Sequence, residues 1–155
     1  MIRELRAEDM QRLRPLLEEI HGKSEYRRFK PHWPTVFAVI ARLSMANAGW
    51  VRVTENNGKM TGVFLGMIDE YWWAEPGRGA RYATDLLVYS KYRGEGFKML
   101  EQFKSWAWER PRVVRVETGV SSGIAHKTLV ANYAKIGLLY HGPMFAANHP
   151  KLSEV

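Results

Sequence analysis

One stretch constrains this chain more than any other. Leu86-Leu87-Val88-Tyr89-Ser90-Lys91-Tyr92-Arg93-Gly94-Glu95-Gly96-Phe97 runs from an apolar strand, through an Arg-Gly-x-Gly turn, into an amphipathic helix. A strand, a glycine turn and a helix in that order present free backbone N–H groups at the positive end of a helix dipole, which suits an anion. Gly94 and Gly96 let a ligand approach the backbone, and Arg93 adds a positive charge beside it. The simplest reading is a phosphate cradle.

The rest of the composition narrows the classes. At 155 residues, 46% hydrophobic and 25% charged, the chain reads as one domain over 1–155 with its own core. The absence of cysteine excludes disulfides, thiolate metal sites and cysteine nucleophiles, and it fits a cytoplasmic setting. The first residues, Met1-Ile2-Arg3-Glu4-Leu5-Arg6, are too charged for a signal peptide, and no apolar run approaches spanning length, so no membrane partner is expected. The formal charge of +7 suits an anionic ligand, nucleic acid or plain solubility alike.

Periodicity predicts the elements. Residues 2–5 read as a short strand, and Met10, Leu13, Leu16, Leu17 and Ile20 repeat at helical spacing, with Pro15 expected to kink that helix or delay its start. Residues 24–33 form a polar, basic and aromatic connector, and Pro34 opens a second helix that ends near Gly49. Two strands, 50–54 and 60–70, flank Asn56-Asn57-Gly58, a hairpin signal. Pro76-Gly77-Arg78-Gly79 precedes a strand over 83–89, and the helix from Gly94 turns Phe97, Leu100, Phe103 and Ala107 inward and stops before Pro111. A strand over 113–120, a helix over 125–136 closed by Gly137, and two short strands at 138–140 and 144–146 complete the chain. The expected fold is therefore α/β (an α+β mixed sheet), ordered β-α-α-β-β-β-α-β-α-β-β, with helices on both faces. Hairpins between the early strands and the lack of a third glycine argue against a doubly wound dinucleotide fold.

That order, with the Arg-Gly-Glu-Gly turn, resembles the GNAT superfamily of acyl-coenzyme-A-dependent N-acetyltransferases. Asp85-Leu86-Leu87-Val88 through Arg93-Gly94-Glu95-Gly96 resembles the family's coenzyme A motif, [Q/R]-x-x-G-x-[G/A]. Asn132-Tyr133-Ala134-Lys135-Ile136-Gly137-Leu138 resembles its second motif, roughly L-Y-x-K-x-G-F. Gly119-Val120-Ser121-Ser122-Gly123-Ile124 is similar to members carried by bacteriophages. The chain departs from the pattern at Lys98, where the first motif ends in Gly or Ala, at His126, where an Asn is frequent, and at Leu138, where a Phe is usual. Lys98 is either an extra phosphate ligand or a solvent-facing side chain.

The resemblance implies acetyl-CoA as co-substrate, held by Leu87, Val88, Arg93, Gly94, Glu95, Gly96, Phe97 and Lys98. It implies a pantetheine arm between two splayed central parallel strands, with backbone groups around Val88 bonding it and an N–H stabilising the tetrahedral intermediate. Tyr133 is then the candidate acid for the leaving thiolate, although Leu129, Tyr133 and Ile136 also form a helical stripe of core character. Asp85 is the candidate base, or alternatively a solvated strand end. A turn centred on Gly77-Arg78 would set it opposite Glu70, and two near carboxylates raise one pKa. Glu25, Tyr26, Phe29, Glu70 and Trp72 are candidate acceptor contacts. Tyr71-Trp72-Trp73, read as strand neighbours facing alternate sides, line a pocket, form a homodimer surface, or pack beneath the first helices. The five histidines show no metal spacing, so no metal is expected, and Ser121-Ser122 has no nucleophile partners.

The leading expectation is an N-acetyltransferase acting directly on an amine, small or protein-borne. The alternative is a GNAT-like binding or regulatory protein without catalysis, which Lys98 and His126 motivate. A nucleic-acid binder ranks below both, because the aromatic residues follow core periodicities.

Overall fold

In a computed structural model, residues 1–119 and 133–138 are described. The end of the expected 113–120 strand, the 125–136 helix before Tyr133, His126, Ser121-Ser122, Asn132, and the closing strands beyond Leu138 lie outside the described residues, as does most of the phage-like segment.

Five strands form one sheet in the order β1-β2-β3-β4-β5: β1 (Ile2–Glu4), β2 (Gly49–Asn56), β3 (Lys59–Glu70), β4 (Arg81–Ser90) and β5 (Val113–Glu117). The first three pairings are antiparallel, and β4 with β5 is parallel. That one parallel pair needs a crossover, which the helix α3 (Glu95–Trp108) provides. Helices α1 (Asp9–Lys23) and α2 (Trp33–Met45) connect β1 to β2, with a 3-10 turn at Glu25–Arg28 between them.

Strand alternation sorts the core into two layers. Val51, Val53, Val63 and Leu65 point to one face, where they meet Leu13, Leu16, Leu17 and Ile20 of α1 and Ile40 and Leu43 of α2. Trp50, Phe64, Ile68 and Ala83 point to the other, where α3 lays Met99, Leu100, Phe103 and Ala107 against them. Phe103 is fully buried and touches the rings of Phe64 and Trp50 at centroid distances of 4.9 and 5.6 Å. Side chains of that size each contribute about 1.5–3 kcal/mol through burial.

The helix α1 neither breaks nor starts late at Pro15; it is continuous from Asp9. Its first turn is organised by the buried Asp9 carboxylate, which accepts from the Arg6 N–H at 2.9 Å. The β2–β3 connection is the expected two-residue turn, with Asn56 paired to Lys59. Tyr71-Trp72-Trp73 is not strand. It lies past the end of β3, in a loop where Tyr71 stacks on Trp73 at 5.1 Å and leans on Tyr82 at 5.0 Å, leaving Trp72 88% exposed.

Residues 133–135 form a helical turn against the α3 layer, with Tyr133 and Ile136 buried there. The segment is closed at Gly137, with the Leu138 N–H donating to the Tyr133 carbonyl at 3.1 Å, and Lys104 Nζ of α3 donates to the Ile136 carbonyl. No helix among the described residues is long and apolar enough to cross a membrane.

Candidate active site

The parallel β4–β5 pairing ends at Thr84 with Glu117. Beyond that pair β4 continues to Ser90 with β3 as its one strand partner among the described residues, so its other edge opens. The opening coincides with a bulge. Leu65 pairs with Leu87 but Gly66 pairs with Asp85, which leaves Leu86 as an extra residue on β4. A bulge reverses the phase of a strand. Ala83 faces the α3 layer before it, whereas Leu87 and Tyr89 face the α1–α2 layer after it, with Val88 turned to the α3 side.

At the opening lies a cleft of about 460 Å³. One wall is Thr84, Asp85, Leu86, Leu87 and Val88 of β4, with Glu117, Thr118 and Gly119 at the end of β5. Leu17, Ile20 and His21 of α1, Tyr26 of the connector, and Trp33 and Val36 of α2 form the opposite wall. The carboxyl ends of parallel strands are where such sheets leave a crevice for a ligand.

Three polar side chains meet at the splay. Asp85 is half-buried, and its Oδ1 accepts from the Gly119 N–H at 3.3 Å. Burial raises its pKa above the ordinary carboxylate value, with Thr118 and the Gly119 N–H pulling the other way. Tyr133 is buried, and burial raises its pKa as well; Thr118 opposes that rise and the Asp85 charge adds to it. The Thr118 hydroxyl lies close enough to Asp85 and Tyr133 to act on both, and neither it nor the Tyr133 hydroxyl closes a hydrogen bond of good geometry among the described residues. Buried hydroxyls without a partner are costly, and two of them beside one carboxyl at a cleft leave polar capacity for a ligand. Among the described residues the other buried side-chain atoms of this kind are Arg28 Nε and Arg81 Nε.

The Arg-Gly-x-Gly turn sits at the open end of β4. Gly94 adopts φ 84°, a left-handed conformation in which a side chain is strained, and caps α3. The N–H groups of Arg93, Gly94, Gly96 and Phe97 make no backbone hydrogen bond among the described residues, whereas the Glu95 and Lys98 N–H groups donate to Tyr92 and Gly94. The Glu95 carboxylate turns back to accept from Ser90 Oγ at 2.8 Å, away from the open N–H groups. Phe97 packs on the α3-side core, while Arg93 and Lys98 are exposed with no ion-pair partner among the described residues. Lys91 differs, because Glu19 of α1 holds it at 2.5 Å. Glu19 also takes Lys23 and the Tyr89 hydroxyl, and these donors lower its pKa to about 2. This network ties α1 to β4 on the cleft side.

The structure brings Asp85, Leu87, Val88 and Tyr26 into the cleft, sets Tyr133 behind Asp85, and aligns Arg93 to Lys98 at the turn above. Exposed Glu25 and Phe29 are outside the lining. Glu70 and Trp72 sit at the far end of β4, and the register is corrected there. Glu70 pairs with Arg81, not Asp85. The register centres the whole connection on Glu75-Pro76, and within it the Arg78 and Gly79 N–H groups both donate to the Glu75 carbonyl, at 3.1 and 2.7 Å, around Pro76-Gly77. Glu70 accepts from the Gly77 N–H at 2.9 Å, and its carboxylate does not meet that of Asp85, so burial raises the Asp85 pKa without a second carboxylate. Sequence reasoning missed Thr118 and the Leu86 bulge. Thr118 could have been found as the residue leaving the carboxyl end of the parallel strand. Among the described residues no group of three or more His, Asp or Glu is placed to hold a metal.

No family model and no curated protein sequence matches the chain. Solved structures do. A transcriptional regulator from Bacillus halodurans C-125 is similar with a TM-score of 0.71 at 14% identity, covering 96% of this chain and 99% of its own. An acetyltransferase from Trypanosoma brucei has a TM-score of 0.68 at 16% identity over the same shares. An aminoglycoside N-acetyltransferase in complex with CoA has a TM-score of 0.65 at 10% identity, again over 96% and 99%. At these identities the likeness is one of fold, and the fold is that of the GNAT acetyltransferases.

Proposed function

From a GNAT fold with an open anion turn above a splayed strand pair, we propose that the protein is an N-acetyltransferase that moves an acetyl group from acetyl-CoA directly to an amine. The observation that carries this reading is the meeting of Asp85, Thr118 and Tyr133 where β4 and β5 part, with the two hydroxyls short of a well-formed hydrogen bond among the described residues.

The residues fit the co-substrate. The free N–H groups at Gly94, Gly96 and Phe97, with Arg93 and Lys98, would hold its phosphates. Backbone groups of Leu87 and Val88, on the edge of β4 that has lost β5, would bond its arm. The bound thioester supplies an activated acyl carbon and a thiolate leaving group. Asp85 takes the proton of the attacking amine, and Tyr133 gives its proton to the departing sulfur, so the C–N bond forms as the C–S bond breaks with protons balanced. The assignment follows from the two acids: a carboxyl ionises far below a phenol, and burial strengthens the hold of Tyr133 on its proton. Glu25, Tyr26, Phe29, Glu70 and Trp72 are ranked by position, with Tyr26 as the acceptor contact. The chain acts in the cytoplasm on this reading, as one domain and without a metal.

Lys98 favours a second reading, a cofactor-binding regulator without catalysis, since one similar structure is described as a transcriptional regulator. Thermal unfolding with acetyl-CoA at about a hundred times its dissociation constant separates the outcomes, because such binding adds about 2.7 kcal/mol. The expected result is a rise in midpoint that Arg93→Ala and Gly96→Glu reduce, with amine acetylation that Tyr133→Phe slows about a hundredfold at unchanged acetyl-CoA KM. No rise in a cooperatively melting protein refutes the proposal. A rise without acetylation of any amine supports the regulator.

A further inference from the structure

We infer that the acceptor is a small monoamine carrying an apolar or aromatic body, not a polyamine, an aminosugar or a protein lysine. The inference rests on the acetyl-transfer reading and concerns the other half of the same cleft.

The wall that faces β4 belongs to the acceptor, because the β4 edge and the turn above it are taken by the co-substrate. That wall is mostly apolar, with Leu17 and Ile20 from α1, Pro31, and Trp33 and Val36 from α2, and its polar members, His21, Ser24 and Tyr26, are not carboxylates. Two carboxylates line the cleft among the described residues, Asp85 and Glu117. Glu117 is paired with Arg115 at 2.9 Å, whereas Asp85 takes only neutral donors and has no cationic partner among the described residues. The other acids of the first helix are used elsewhere. Glu18 pairs with Arg14 at 2.9 Å, and Glu19 with Lys23 and Lys91 at 2.6 and 2.5 Å.

One free carboxylate can neutralise one ammonium. A second or third ammonium on the acceptor would lie against Leu17, Ile20 or Val36, stripped of water and without a partner, which is strongly unfavourable. At the rim Arg14, which lies over the Trp33 ring at 5.3 Å, already occupies Glu18. Trp33 and Val36 instead offer dispersion contact and burial to an apolar body.

The test compares kcat/KM for phenethylamine, ethylamine, spermidine, kanamycin and a lysine-containing peptide, followed by the thiol released from acetyl-CoA. The chain has no cysteine, so it contributes no background. Phenethylamine is expected to exceed each of the others by at least about tenfold, the discrimination a few buried carbons allow. Trp33→Ala should bring the phenethylamine-to-ethylamine ratio towards one, and Val36→Asp should raise spermidine relative to phenethylamine. Spermidine, kanamycin or the peptide matching phenethylamine overturns the inference and leaves the acetyltransferase reading standing. An unchanged ratio in Trp33→Ala overturns the assignment of the wall. Acetyl-CoA binding with no amine turned over overturns both.

Discussion

The anchor of α1 makes a prediction whose size follows from the geometry. Asp9 is 1% exposed, and its two oxygens take Arg3 at 2.5 and 2.9 Å, Arg12 at 3.0 Å and the Arg6 N–H at 2.9 Å. Arg3 and Arg12 each continue to Glu55 of β2 at 2.6 Å, so the cluster joins β1, α1 and β2. The Arg3 hydrogen bonds, partly offset by burial, hold the Asp9 pKa at about 2, against an ordinary 3.8. The carboxylate is thus favoured by folding. Its contribution is fully present above the unfolded value and fades as pH falls from 3.8 towards about 2. A shift of that size corresponds to about 2 kcal/mol. Asp9→Asn keeps the shape and loses the charge. At pH 7 the variant should be less stable by about 2 kcal/mol, equivalent to a midpoint about 4–8 °C lower. Urea unfolding followed by tryptophan fluorescence, repeated from pH 7 down to about 2.5, would read the difference, which should shrink below about pH 4. A gap of constant size across that range, or none at pH 7, would refute the idea that an ionised Asp9 fastens α1 to the sheet.

Two further substitutions probe the site and its support. On the proposed role of Asp85 as the base, Asp85→Asn should remove the acidic limb of the pH–rate profile, because a carboxylate base is available only above its pKa, which burial raises here. A carboxyl whose pKa rises on folding loses stability as pH climbs through that value, so the same variant should melt higher at pH 7, measured by calorimetry; lower stability with an unaltered profile would oppose the assignment. Gly66→Ala, opposite Asp85, would push a methyl to 2.4 Å from the Phe103 ring, which Trp50 and Phe64 pin in place. A loss of about 1–3 kcal/mol in urea unfolding is expected, and a neutral result would show that the ring has room to move.

Much of this architecture was readable before any coordinates. Asn57-Gly58 specifies its own turn, Gly94 its own left-handed cap, and the period of Leu100, Phe103 and Ala107 its own buried face, because each depends on residues adjacent in the chain. The strand–turn–helix unit was legible for the same reason. The β3–β4 register was not. Ten residues separate Glu70 from Arg81, and only the closure of that loop on the Glu75 carbonyl sets which residues oppose each other.

What the sequence by itself determined is local: among the described residues, the element types, their order as far as β5, and the left-handed glycine turn that opens α3. What only the tertiary structure decided is which groups meet. The Leu86 bulge re-phases β4 after Asp85, the β4–β5 pairing stops at Thr84 with Glu117, and Tyr133 comes from a later segment to act on the same group of residues as Thr118. The apolar wall likewise needs α1 and α2 together. Local conformation follows from backbone and rotamer preferences over a few residues. The proximity of residues far apart in the chain follows from how two layers of side chains pack across one sheet, and no single segment encodes that.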